Sequence, residues 1–115
     1  MATFTKIILQ GSTNGRGIAV AATETLGTTI HTAHATALDE IWLYANNIHS
    51  SAVVLTVEYG GVTTTSDLIQ TSIAATPSGL VLICAGLLVT GSVVVTAFAG
   101  TANKIELFGY VNRIA

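Results

Sequence analysis

Residues 39–61 read DEIWLYANNIHSSAVVLTVEYGG, and the alternation in this stretch decides the fold class. In its second half Val53, Leu55, Val57 and Tyr59 fall on one side, with Val54, Thr56 and Glu58 on the other. That is the period of two imposed by a pleated strand. In its first half Ile41, Leu43 and Ala45 share one side and Trp42 and Tyr44 the other. Asn46 to Ser51 reads as a polar turn, and Gly60-Gly61 as the end of the pair. The expectation is a strand, a loop and a second strand, with the rest of the sheet laid beside them.

Outward from there, other segments repeat the pattern. Phe4 to Gln10, Ile18 to Ala22 and Gly27 to Thr32 read as short strands. The loop Gly11 to Gly17 holds an Asn14-Gly15 pair that favours a turn with positive φ. Residues 1–5 are a candidate flexible arm. Residues 33–39 are ambiguous. Ala33, Ala35 and Ala37 suit a short helix, while the neighbouring threonines and the Ile41 to Tyr44 run suit strand plus loop. Downstream, Val62 to Ser66 reads as a loop or short edge strand, and Asp67 to Ile73 as a strand. Leu80 to Ala85 is apolar on both faces, as in a strand buried on both sides. Val93 to Ala99 and Lys104 to Ile114 complete the set. Eight or nine short strands with turn signals between them predict one all-β domain over residues 1–115, an antiparallel β-sandwich or jelly roll.

The charge count bears on function. Of 115 residues only 9% are charged, with a net charge of −2, against about 25% charged in ordinary soluble domains. A folded chain of this mass exposes roughly 5,900 Å², so each charge serves roughly 590 Å² of surface. Eighteen threonines keep outward faces polar without charge. Such a surface resists self-association poorly and implies cover by partners. Lys6, Arg16, Lys104 and Arg113 are scattered, which argues against a nucleic-acid partner. No secretory signal is visible. Gly79 to Val89, the longest stretch without a polar side chain, would reach only about 16 Å as a helix, too short to span a membrane.

Candidate chemistry is sparse. His31 and His34 form an H-x-x-H pair that could chelate an ion from a helix but not from a strand; the competing reading is polar surface or subunit contact. The six carboxylates read as solvated or inter-subunit groups, with Asp39-Glu40 a strand-start pair. Cys84, the lone cysteine, reads as a buried inert side chain. Gly15-Arg16-Gly17 lacks the spacing of a phosphate loop. Phe4, Trp42, Tyr44, Tyr59, Phe108 and Tyr110 are the candidate interface anchors; a sugar-stacking face is the alternative. Nothing points to a cofactor, a metal or a catalytic set.

From about Ile30 to Ile114 the chain resembles small structural proteins of tailed double-stranded DNA bacteriophages. The resemblance rests on DEIWLYANN (39–47), LTVEYGG (55–61), DLI (67–69), SGLVLICAGLLV (78–89), VTAFAGTAN (95–103) and GYVNRI (109–114). It implies a non-enzymatic virion component on the capsid exterior, a decoration or cement protein acting as a homo-oligomer. A trimer bound to the major capsid protein is the implied form. A fibre, tail or surface module that binds host glycan is the alternative.

Overall fold

A computed structural model describes residues 2–115 as nine strands with, among those residues, no helix. They are β1 (Phe4–Ile8), β2 (Ile18–Ala19), β3 (Thr28–Thr32), β4 (Leu38–Asn47), β5 (Val53–Tyr59), β6 (Leu68–Ile73), β7 (Val81–Val89), β8 (Val94–Ala99) and β9 (Ile105–Ile114). One sheet runs β1-β9-β4-β7, with β2 also paired to β9; the other runs β3-β8-β5-β6. All pairings are antiparallel, so the expected all-β sandwich is the fold observed.

The order has a simple origin. The chain pairs as one long hairpin: Ile18 with Leu107, Thr29 with Thr96, Asp39 with Val89, Val53 with Ile73, and Glu58 with Leu68. Its tip lies between β5 and β6. Rolling that ribbon deals successive strand pairs alternately to the two sheets, which is a jelly roll.

One expectation for residues 39–61 needs correction. β4 and β5 alternate as read, but they are not neighbours: they lie in opposite sheets. Two strands with apolar odd positions satisfy the same pattern as a hairpin or as a crossover, so periodicity could not separate the two. Asn47 marks the crossover. Its side-chain amide donates to the carbonyls of Ser51, Ile73 and Ala74, and its Oδ1 accepts from the His49 amide. This ties the end of β4 to the end of β6 in the other sheet.

The core lies between the sheets. Ile41, Leu43 and Ala45 of β4 and Leu107 and Val111 of β9 face inward, as do Leu55, Val57, Val95 and Ala97 from the opposite layer; all are fully buried. The inward row of β4 is thus apolar in the middle and polar at both ends, with Asp39 at one and Asn47 at the other.

Two further expectations change, and one open alternative is resolved in favour of strand plus loop. Leu80 to Ala85 is not buried on both sides: in a two-sheet sandwich only one face of β7 meets the core, and Leu80 and Leu82 are exposed. Two bulges, at Gly86 and Ile83, break the β7 register against β4, and the Tyr59 hydroxyl donates to the Leu87 carbonyl across the sandwich. The expected arm over residues 1–5 is tied down from Thr3 on. Thr3 exchanges backbone hydrogen bonds with Ala115, and Phe4 and Thr5 pair with Ile114 and Arg113; Met1 lies outside the described residues. Residues 33–37 form a loop rather than a helical turn, with the His34 Nδ1 accepting from the amides of Thr36 and Ala37.

Candidate functional site: the outer face of the five-stranded sheet

The β4–β9 register places Tyr44 beside Phe108 and Trp42 beside Tyr110 on the face turned away from the core. Four of the seven aromatic residues therefore form one block at the centre of the sheet. Trp42 and Tyr110 stack nearly parallel, with ring centroids 6.2 Å apart and planes 9° apart. The block has apolar flanks. On one side β1 presents Phe4 and Ile8, 64% and 50% exposed; on the other β7 presents Leu82 and Leu88, 50% and 52% exposed.

Three of the charges on this face, Lys6, Glu40 and Glu106, are tied to its rings and amides. The Lys6 ammonium sits 5.1 Å from the Tyr110 ring centre, the geometry of a cation–π contact. The Trp42 indole N–H donates to Glu40 at 2.7 Å, and the Asn46 amide donates to Glu106 at 3.0 Å. A broad aromatic and aliphatic surface with its charges restrained is suited to burial against another apolar surface.

Of the six anchors read from the sequence, the structure thus gathers Phe4, Trp42, Tyr44, Phe108 and Tyr110 on one face. Tyr59 is apart: it points inward from the other sheet towards β7. Burial first, then the nearby Cys84 and Asp39, pushes its phenol well above the ordinary value. Sequence reading missed Ile8, Leu82 and Leu88. Their signal was present in the alternation of β1 and in the apolar run through β7, of which Leu80 to Ala85, including Leu82, was taken as doubly buried.

The carboxylates read as solvated or inter-subunit divide differently. Asp39 and Glu58 are buried, which corrects that reading. Asp39 receives Arg113 in a two-point pair at 2.7 and 2.9 Å, the His31 Nε2–H at 2.8 Å and the His34 amide at 3.2 Å. Burial alone would raise the Asp39 carboxyl; the donors, Arg113 first and His31 next, outweigh it and hold the pKa at about 2. Asp39 and Asn47 shared the parity of Ile41, Leu43 and Ala45, so their inward direction was legible. Glu58 is on an outward position but is roofed by the segment before β3. Burial would raise its carboxyl too, yet the hydroxyls of Thr96 and Thr25 and the Gly27 amide, all donating to it, lower it on balance. Among the described residues no buried side-chain polar atom lacks a partner.

His31 is buried, not at the surface as read. Its Nδ1 accepts from the Gln10 amide at 3.3 Å, which assigns the proton to Nε2 and the Asp39 bond. An Asp–His pair can orient a general base, but both ring nitrogens are engaged here and solvent does not reach the ring. The pair instead joins β3 to β4 across the two sheets. Cys84 faces the core, and burial pushes its thiol up to about 11.

No family model, curated protein or solved structure matches the chain.

Proposed function

We propose that this protein is a non-enzymatic structural component of a tailed-bacteriophage virion, a decoration protein that binds the coat lattice as a homo-oligomer. The observation that carries the reading is the face just described, an aromatic block between two exposed apolar strips. The charge count supports it further. With Asp39 and Glu58 buried, eight charged side chains remain for a surface of 5919 Å², about 740 Å² each. Ordinary solubility rests on denser charge than that. The fold itself does not choose, since jelly rolls occur in capsid and lectin domains alike.

In this reading the face packs on neighbouring coat subunits or on the next copy, and occupancy stabilises the assembled shell by mass action. A head-to-tail contact that closes on itself gives the trimer. The test is mass spectrometry of intact particles together with binding of purified protein to undecorated heads. Hundreds of copies per head are expected, and Leu88→Lys should abolish binding without changing the melting temperature. A stable monomer at micromolar concentration with no affinity for heads would remove the reading.

A further inference from the structure

We infer that the hollow beside Phe108 binds a neutral saccharide ring. The hollow has a volume of about 430 Å³ and is lined by Thr13, Arg16, Gly17, Glu106 and Phe108. That is within the size range of small-ligand sites. It lies at the end of the aromatic block, where the loop between β1 and β2 crosses the sheet. The inference does not rest on the virion reading.

The walls are held in place. Asn14 and Gly15 both have positive φ, and the Arg16 amide donates to the Thr13 carbonyl at 3.0 Å, closing a tight turn. The Ser12 hydroxyl donates to the Arg16 carbonyl at 2.6 Å. Gly17 lies directly on the Phe108 ring: a Cβ there would come within 2.7 Å of it. The loop can approach the ring this closely only at glycine, and part of the ring is left facing the hollow.

The chemistry of the lining selects the ligand. Glu106 uses Oε1 for the Asn46 amide, and among the described residues Oε2 has no donor. The Arg16 guanidinium has neither an ion pair nor a side-chain hydrogen bond among those residues, although Glu106 lines the same hollow. A carboxylate ligand would satisfy Arg16 and be repelled by Glu106; an ammonium ligand would do the reverse. An apolar ligand would strip water from both charges without replacing it. A neutral ring with adjacent hydroxyls meets each demand. One hydroxyl donates to Glu106, its neighbour accepts from Arg16, and the C–H face of the ring lies on Phe108.

The test is a titration of amide resonances in ¹⁵N-labelled protein with a panel of neutral hexoses and N-acetylhexosamines. Glucosamine and N-acetylneuraminic acid serve as the cationic and anionic comparisons. The expected result is saturable shifts at Thr13, Arg16, Gly17 and Phe108 with at least one neutral sugar. Arg16→Gln and Glu106→Gln should each weaken binding by about tenfold or more, the loss expected for a hydrogen bond to a charged group. Both substitutions lie on a solvent-facing wall, and unchanged spectra elsewhere verify the fold. The inference is overturned if no neutral sugar gives saturable shifts, if both variants bind as tightly as the parent, or if a charged sugar binds more tightly than every neutral one.

Discussion

Lowering the pH should loosen this fold through Asp39 in particular, and the size of the effect follows from its surroundings. The carboxyl has a pKa of about 2 in the folded chain, against an ordinary value of 3.8. Each unit of difference corresponds to about 1.4 kcal/mol, so Asp39 contributes about 2 kcal/mol at neutral pH. The folded value is the lower one, so the unfolded chain takes up the proton first as pH falls. The contribution is complete above about pH 5 and fades as pH falls towards 2, where the folded carboxyl itself titrates. For a domain of this length that corresponds to a fall of about 8 °C in melting temperature. Glu58 is shifted in the same direction, so the wild-type curve alone does not isolate Asp39. Asp39→Asn does. Its deficit relative to wild type should be about 3 kcal/mol at neutral pH, since Arg113 loses its partner but keeps some contact with water. That deficit should shrink by about 2 kcal/mol between pH 5 and pH 2. Guanidinium denaturation at several pH values measures it, and carboxyl-carbon NMR of the wild type reads the Asp39 titration directly. A deficit independent of pH, or a carboxyl titrating near 4 in the native protein, would refute the reasoning.

Two further outcomes follow from the interior. Asn47→Ala removes the donor shared by three carbonyls and the acceptor of the His49 amide, and should cost about 3 kcal/mol by guanidinium denaturation; a loss under 1 kcal/mol would show that water replaces the amide. Cys84, with its thiol pushed up to about 11, should be unreactive towards an aromatic disulfide reagent at pH 8 in the native state and react promptly once guanidinium unfolds the chain. Prompt reaction of the native protein would contradict its inward placement.

Much of the architecture was legible because period-two alternation is a local signal. Ile41, Leu43 and Ala45 against Trp42 and Tyr44 placed both faces of β4 correctly, and Asn14-Gly15 announced its turn. What failed was non-local. β4 and β5 part because β4 pairs with β7 and β9 while β5 pairs with β6 and β8, partners that no window around residue 47 contains. The burial of His31 depends on Asp39 and Gln10, and the ion pair of Asp39 on Arg113, 74 residues away. Glu58 occupies an outward position by parity and becomes buried because the segment around Thr25 to Gly27 lies over it. The aromatic block was visible as six separate residues; the register of β4 on β9 was needed to show that four of them sit side by side on one face and Tyr59 does not belong.

The irregular margin at β7 carries a consequence for how the molecule can associate. An open strand margin ordinarily templates another strand, and repeated addition ends in fibrils. Here the backbone partners of β4 are met in runs of three, two and two residues, so an incoming extended segment would find no long stretch in phase. The Tyr59 hydroxyl also occupies the Leu87 carbonyl. Strand addition along this margin should therefore be disfavoured, and contacts made from this side of the sandwich should run through its flat outer surface.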